Sequence, residues 1–261
     1  MRRIGMNMHV INGLNDNALL REMAALGFTA TFMKTLPLKE QEAAAALCAK
    51  HGILCETLHA PFSHINDIWF PGEGGDAMLE ELKECVDRCP IVGADIAVVH
   101  LSSGVDAPPV TDAGRLRFAR LVEYAAKKGV RIAFENQRKL ANLAWAMETF
   151  DAAAAGFCWD CGHEQSLAGG MRYMPLFGKR ILTTHIHDNH GITGEDEHLI
   201  PFDGTLDYNY VAKMLREVHY QGTLMLELYH RDRYSGISPE AYLARAAAAA
   251  KRLRAMVDGE E

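Results

Sequence analysis

Residues of metal-binding types stand at the ends of six predicted β-strands, and this placement constrains the fold more than any other feature of the chain. Each lies where an apolar run stops and polar residues begin, and the six are His59, His100, Glu135, Asp160, His185 and Glu227. In a (β/α)8 barrel all strand C-termini open onto one face, which carries the active site. Imidazoles and carboxylates that converge on one point are what a divalent metal ion requires. The pattern therefore predicts a metal-dependent enzyme built on a TIM barrel.

The chain alternates strand and helix patterns eight times, in the order that such a barrel requires. Several strands are continuous apolar runs, typical of parallel strands that are buried on both faces. The predicted strands span residues 3–9, 28–33, 53–59, 95–101, 130–136, 156–160, 181–187 and 222–228. The predicted helices include 38–51 and 112–128, each followed by glycine, and one that begins at Ser238-Pro239-Glu240. A length of 261 residues suits a single α/β domain of this kind over residues 1–261.

Charge and composition restrict the class of partner. The net charge of −7 argues against nucleic acid, because phosphate binding favours a basic surface. No apolar run approaches the roughly 18 residues of a membrane span, and the first ten residues, MRRIGMNMHV, lack the apolar stretch of a secretory signal. Six cysteines in a chain of this length do not make a disulfide framework. We therefore expect buried, reduced thiols, a cytoplasmic location, no membrane and no nucleic acid partner.

Glu135 and Glu227 are the positions most indicative of chemistry. An ionised carboxylate at the end of a buried strand is costly unless it is paired or bound to a metal. Two such carboxylates in one barrel mouth would repel each other without a cation between them. The alternative for each is a salt bridge with a neighbouring lysine or arginine. With four further ligand-type residues at other strand ends, the sequence favours metal binding.

Two histidine-rich motifs follow the sixth and seventh predicted strands. In the first, D160-C-G-H163, the loop can return the His163 imidazole to the site. In the second, H185-I-H187-D-N-H is followed by D196-E-H198 in a glycine-flanked loop. His185 and His187 point the same way by the two-residue period of a strand, so periodicity leaves the choice of ligand between them open.

Two long segments, 60–78 and 188–207, follow strands and are expected to form functional loops on the catalytic face. Trp69 in the first is predicted to form part of a substrate pocket wall, with local packing as the alternative. Arg138, Arg231 and Arg233 lie just past strand ends and could hold an anion, with surface solvation as the alternative for each. Whether a substrate carries a phosphate therefore stays open.

The segment from His185 to Tyr208 carries a resemblance to a known family. It reads H-I-H-D-N, then D-E-H-L-I-P-F-D-G-T-L-D-Y. This is similar to the His-x-x-Asp and Asp-x-His-Leu-Pro-x-Gly-x-Gly-x-Ile-Asp signature of the xylose isomerase-like TIM-barrel superfamily, which contains sugar-phosphate isomerases and epimerases with the endonuclease IV group as a branch. The resemblance covers nearly the whole chain and gives His185 the ligand position. Phe202 stands where the family has its first glycine and Gly204 stands at the second, which puts the shape of this loop in question.

The resemblance implies two alternative ligand sets. The epimerase-type site holds one divalent ion through residues that match Glu135, Asp160, His185 and Glu227. The endonuclease IV branch holds three zinc ions through nine residues, and their counterparts here are His59, His100, Glu135, Asp160, His163, His185, Asp196, His198 and Glu227. The chain lacks the H-L-N-D-S-K run of that branch and has HIHDNH instead, and no Lys/Arg-rich loop stands out on the catalytic face.

These observations favour a metal-dependent isomerase or epimerase that acts on a sugar or sugar derivative by abstracting a proton next to a carbonyl group. Glu135 and Glu227 are the expected acid/base pair, and His163, His187, Arg138 and Trp69 are assigned to substrate contact, with His163 holding a substrate oxygen or a second metal. Mixed ligands suit Mn, Zn, Co or Fe(II), with one to three ions per chain. The expected partner is a small carbohydrate, and a homo-oligomer is left open. The alternative is an endonuclease IV-type zinc-dependent phosphodiester hydrolase.

Overall fold

A sheet of eight parallel strands forms the centre of the computed structural model, which describes residues 1–8, 11 and 13–260. Neighbouring strands follow the order β7-β6-β5-β4-β3-β2-β1-β8. A parallel bridge between Ile186 and Leu226 joins the two ends of this order. The predicted (β/α)8 barrel is therefore confirmed. The strands are β1 (Ile4–Met6), β2 (Ala30–Lys34), β3 (Leu54–His59), β4 (Ile96–His100), β5 (Arg131–Glu135), β6 (Ala155–Asp160), β7 (Ile181–His185) and β8 (Leu224–Leu226).

The helices lie between the strands, and their ends follow local capping rules. Gly52 ends the second helix with a φ of 66°, a left-handed conformation that glycine adopts without steric cost. Ser238 begins the last helix, where its side chain accepts a hydrogen bond from the Ala241 N–H. The helices are α1 (Asp16–Leu26), α2 (Leu38–His51), α3 (Glu73–Val92), α4 (Asp112–Lys127), α5 (Leu140–Thr149), α6 (Cys161–Ser166), α7 (Met174–Phe177), α8 (Tyr208–Glu217) and α9 (Pro239–Asp258).

Three of the strands are shorter than predicted, because their last residues leave the sheet. The predicted strand 3–9 ends at Met6, and position 9 lies outside the described residues. After β8, the Leu228 N–H donates to the side-chain oxygen of Asn7 instead of to a neighbouring strand. After β7, Asp188 pairs in antiparallel fashion with Leu199. These departures shape the mouth of the barrel, where loops replace the sheet.

The alternation of side chains along each strand explains how polar residues come to lie above an apolar barrel interior. Inside the barrel, Ile96, Val98, Ala133 and Cys158 form a buried cluster. By the two-residue period, the next interior positions along these strands are His100, Glu135 and Asp160. The register places His100 beside Glu135 and Asp160 beside His185. The ligand-type residues therefore form the uppermost layer of the barrel interior.

Two other predictions concern the cysteines and the membrane. All six cysteines are buried and free, which confirms the expectation for these thiols. Among the residues that the structure describes, no helix is long and apolar enough to cross a membrane.

Candidate active site

A cavity of about 270 Å³ opens at the C-terminal ends of the strands and gathers most of the predicted site residues. Its floor is polar and its walls come from the loops that follow the strands. The lining residues predicted from the sequence are His59, His100, Glu135, Arg138, His163, Asp196, His198, Glu227 and Arg231. The cavity is therefore the catalytic-face pocket that the barrel predicts.

Glu135, Asp160, His185 and Glu227 form the first group of potential metal ligands. One ligand atom from each lies within 4.8 Å of the others, and all four residues are buried. His185 lies between the two glutamates, with its Nδ1 3.3 Å from Glu135 Oε1 and 3.2 Å from Glu227 Oε2. Asp160 Oδ2 is buried and has no hydrogen-bond partner among the described residues. A buried carboxylate oxygen without a partner fits a metal ion, because such an oxygen is otherwise costly.

His59 and His100 complete the surroundings of Glu135. The Nε2 atoms of His59 and His100 lie 3.2 and 3.0 Å from Glu135 Oε2. The Nδ1 of His59 donates to the Ala60 carbonyl over 2.8 Å, so its Nε2 is the atom that faces Glu135. A hydrogen bond of this kind fixes the tautomer of many metal-ligating histidines. His59, Glu135 and His185 make a second group of ligand atoms within 4.8 Å of one another.

Electrostatic coupling keeps both glutamates ionised in this site. Burial alone raises the pKa of Glu135, but the His185 and His100 imidazoles lower it well below its ordinary value. Burial likewise raises the pKa of Glu227, and the His185 and His198 imidazoles lower it further than burial raises it. Burial lowers the pKa of His100, and this effect exceeds the opposing influence of Glu135. Ionised carboxylates are the form that binds metal and the form that can accept a proton.

The D160-C-G-H163 motif places two ligands with one short helix. Asp160 ends β6 and caps α6, where its Oδ1 accepts a hydrogen bond from the His163 N–H over 2.6 Å. The cap turns the chain so that His163, three residues later, faces back into the cavity. Gly162 leaves room for the ring of His187, since a Cβ at this glycine would overlap that imidazole. The predicted return of His163 to the site is thus a consequence of capping.

Asp188 anchors the loop 188–207, which carries Asp196 and His198. Its Oδ1 accepts from the N–H groups of Asn189 and Leu206, and its Oδ2 accepts from the Phe202 N–H, over 2.8 to 3.0 Å. Phe202 adopts a φ of 76°, a conformation that favours glycine. The loop therefore keeps a glycine-type backbone at the position where the sequence departs from the family signature. The guanidinium of Arg252 lies 3.9 Å from the centre of the Phe202 ring.

Two of the residues assigned to substrate contact lie elsewhere. Trp69 is fully buried, its Nε1 donates to the Leu101 carbonyl, and its ring packs 5.0 Å from that of Phe118. Its predicted exposure in a pocket wall is wrong, and the packing alternative applies, because the short helix Ile65–Trp69 turns the indole inward. His187 is also fully buried, with its Nε2 3.1 Å from Asp160 Oδ1. It lies behind the cavity wall, away from the position of a substrate.

Several residues of the cavity were missed by the sequence analysis. Gln137 lies between two histidines, with its Nε2 3.1 Å from His163 Nδ1, and the Phe62 ring stacks 4.4 Å from that of His100. Lys34 and Tyr229 also line the cavity. All four stand at or within three residues of a strand end, so a search for any side chain just past a strand would have found them. Of the three arginines, Arg138 and Arg231 line the cavity, whereas Arg233 donates to the Asp203 carbonyl.

Comparisons with known proteins agree with this architecture. A family model described as xylose isomerase-like TIM barrel matches residues 20–256. The uncharacterized protein y4fM of Sinorhizobium fredii is 31% identical over 195 residues, which are 69% of this chain and 61% of the relative. The chain thus spans about 61% of the length of that curated relative.

Solved structures share the fold at low sequence identity. A D-tagatose 3-epimerase-like protein superposes with a TM-score of 0.80 at 19% identity, covering 100% of this chain and 99% of its own. The IolI protein, solved with a bound zinc atom, superposes with a TM-score of 0.75 at 17% identity, covering 99% of each chain. At these identities the similarity concerns the fold.

Proposed function

The chain belongs to the xylose isomerase-like TIM-barrel family, and on this basis we propose that it is a divalent-metal-dependent isomerase or epimerase of a sugar or sugar derivative. The observation that carries the proposal is the pair of buried glutamates, Glu135 and Glu227, that flank His185 at the cavity floor. The likeness to a D-tagatose 3-epimerase-like protein supports the substrate class.

Glu135, Asp160, His185 and Glu227 would hold the ion, which is Mn, Zn, Co or Fe(II) by its mixed ligands. When bound, such an ion supplies Lewis acidity that stabilises negative charge on the oxygens of a substrate carbonyl and its neighbouring hydroxyl. The bound zinc of the IolI protein supports a metal of this kind. Their buried positions hold the four ligand side chains in place before a substrate arrives.

The two glutamates would move the proton. Because their pKa values are lowered, both carboxylates are ionised at neutral pH, and each can accept a proton from the carbon next to a carbonyl group. One glutamate removes the proton and either the other or the same one returns it, and the face to which it returns decides between isomerisation and epimerisation. His163 and Gln137 present polar atoms to the cavity and would orient substrate hydroxyl groups.

The size of the cavity suits a small substrate. Its volume of about 270 Å³ is near the lower end of the roughly 300–1,000 Å³ that ligand pockets have. Lys34, Arg138 and Arg231 lie along the lining and Phe62 adds an apolar wall. A monosaccharide fits this description better than a polymer.

The test is hydrogen exchange with solvent. A panel of ketoses and keto-sugars is incubated with metal-loaded protein in D₂O, and deuterium at the carbon beside the carbonyl is measured by mass spectrometry. We expect exchange or epimerisation with at least one sugar. Glu227→Gln should reduce that rate by about 10²–10⁴-fold, the usual contribution of a positioned acid or base, because an amide cannot accept the proton. The control is Glu81→Gln, an exposed position on α3, which should leave the rate unchanged.

The second candidate function is an endonuclease IV-type phosphodiester hydrolase. The observation that favours it is that all nine residues implied by that branch meet around one barrel mouth. A hydrolase of this type would cleave DNA at abasic sites with strongly salt-dependent binding. Cleavage that disappears in Glu135→Gln, together with no exchange on any sugar of the panel, would reverse the ranking of the two functions.

A further inference from the structure

We propose that His163, His187, Asp196 and His198 form a second divalent-cation site that is closed by four protein ligands and ties the loop 188–207 to the barrel. This group goes beyond the proposed reaction, and it does not depend on which substrate the enzyme takes. One ligand atom from each of the four residues lies within 4.8 Å of the others.

The distances among the four side chains match a tetrahedral ion. Asp196 is central, with Oδ2 2.9 Å from His198 Nε2 and 3.3 Å from His163 Nε2. Its Oδ1 lies 3.6 Å from His187 Nε2. Four ligands placed about 2.0–2.1 Å from a zinc ion lie about 3.3 Å apart. The atoms are therefore already near ligand separations.

Two atoms of this group are buried and lack hydrogen-bond partners. Over the residues that the structure describes, neither His187 Nε2 nor Asp196 Oδ1 makes a hydrogen bond, although both atoms are out of contact with solvent. The His187 side chain is fully buried. Buried polar atoms are nearly always satisfied, and a bound ion is one of the few explanations for those that are not. Both atoms face the space between the four residues.

The ring nitrogens on the far side of two imidazoles are held by backbone carbonyls. His198 Nδ1 donates to the Glu227 carbonyl over 3.0 Å, and His163 Nδ1 lies 3.2 Å from the Asn136 carbonyl. A carbonyl can only accept, so the proton sits on Nδ1 and the Nε2 lone pair faces the group. This arrangement is characteristic of histidines that bind metals. The three histidines come from α6, from the end of β7 and from the loop, so a common ion joins three separate segments.

Four protein ligands leave no open position on a tetrahedral ion, which distinguishes structural sites from catalytic ones. His187 is the residue that closes the site, because it approaches from the barrel wall while Asp196, about one-third exposed, lies toward the cavity. An ion held in this way has no position for a substrate or a phosphate. Its role is to fix Asp196 and His198, and with them the loop, against the barrel.

The competing explanation is that His187 serves Asp160. His187 Nε2 lies 3.1 Å from Asp160 Oδ1 and could orient that carboxylate with no ion of its own. On this view the protein would bind no ion through His187, and removing the imidazole would leave the geometry around Asp196 unchanged.

The test measures metal content and coordination instead of turnover. Wild-type protein is loaded with Co²⁺, and cobalt per chain is determined by elemental analysis together with visible absorption, which is intense for four-coordinate Co²⁺ and weak for six-coordinate Co²⁺. We expect at least two ions per chain and the intense band. His187→Gln should lose one equivalent, the intense band and part of the metal-dependent rise in melting temperature. The matched control is His190→Gln, an exposed neighbour paired with Glu197, which should keep all three.

Further variants separate this site from the first group. Glu227→Gln should lose the other ion and keep the intense band, since only its carbonyl contacts His198. Asp196→Asn, at a partly exposed position, replaces His187→Gln if that variant does not fold, and it should also lose one equivalent. Full cobalt content with an unchanged band in the His187 or Asp196 variant would overturn the proposal, as would a wild-type protein that binds a single ion. Neither of those results would affect the exchange of substrate hydrogen, which tests the sugar reaction separately.

Discussion

At the scale of single residues, space matters as much as ligand chemistry. Gly162 lies between the two potential metal groups, one residue from Cys161 and His163, and its missing side chain is what admits the His187 ring. Its backbone is helical, so the requirement comes from the close approach of the ring and not from conformational freedom. The glycine in D160-C-G-H163 therefore has a defined structural purpose.

Gly162→Ala should lower the free energy of unfolding by about 1–3 kcal/mol, the usual cost of adding a methyl group to a filled interior. Because the methyl group would push the His187 imidazole, metal content should fall as well. Denaturant unfolding and elemental analysis measure the two effects. Gly236→Ala is the control, since nothing that the structure describes lies within 4 Å of a Cβ there. Equal stability of the two variants would contradict the role given to this space.

The residues of the site were predictable from the sequence to the extent that they end strands. Apolar runs followed by His, Asp or Glu identify His59, His100, Glu135, Asp160, His185 and Glu227, because strand ends in a barrel share one face. Periodicity could not separate His185 from His187, because both positions have the same orientation along a strand. The difference arises where β7 ends at His185 and the chain leaves the sheet. The burial of Trp69 was also inaccessible, because it depends on aromatic partners far away in the sequence, Phe118 and Trp145.

At the scale of elements, the loop 188–207 depends on one buried carboxylate. Asp188 accepts hydrogen bonds from three backbone N–H groups, two of which belong to the far end of the loop. Burial raises the pKa of Asp188, while the backbone N–H groups of Leu206 and Gly204 oppose this effect. The shape of the loop at Phe202 thus follows from a strand-end residue and not from the glycine of the family signature.

Asp188→Asn should destabilise the loop, because an amide has one acceptor oxygen where the carboxylate has two. The unpaired N–H group of Phe202 would cost about 1–3 kcal/mol, which is the range for a buried donor left unsatisfied. Hydrogen exchange at Phe202 and Leu206 should accelerate accordingly. In the same loop, Asp207 caps α8, and Asp207→Asn should change little, because asparagine caps helices as well as aspartate does. Comparable protection in both variants would refute the anchoring role.

At the scale of the whole molecule, protons and metal ions compete for the same atoms. Burial lowers the pKa of His187, but Asp160 and Asp196 raise it further, to about 9. His163 and His185 also have pKa values well above their ordinary range, because the carboxylates, and for His185 also Cys158, outweigh burial. In the absence of metal these imidazoles are therefore protonated at neutral pH, and a metal ion must displace those protons.

The two states of the protein should respond to pH in opposite directions. For His187 the folded pKa is raised above the ordinary value of 6.5, so the stability that it gives to metal-free protein is complete below pH 6.5 and is lost as pH rises through about 9. The stabilisation by metal should instead grow with pH over this interval and fall in acid, since fewer protons have to leave. Melting temperatures at pH 6 to 9, with EDTA and with saturating Zn²⁺, should diverge as pH increases. Parallel curves would count against metal binding by these histidines.

Glu227 has a consequence for how this molecule can change over time. Its carboxylate belongs to the first group of ligands, and its carbonyl accepts the hydrogen bond that orients His198 in the other group. Any backbone shift at this residue is therefore felt at both places, and catalytic geometries tolerate displacements of only about 1 Å before rates fall. Descendants of this chain cannot easily abandon one group and retain the other. The two sets of ligands are expected to be inherited or lost as one unit, with β8 as the hereditary link between them.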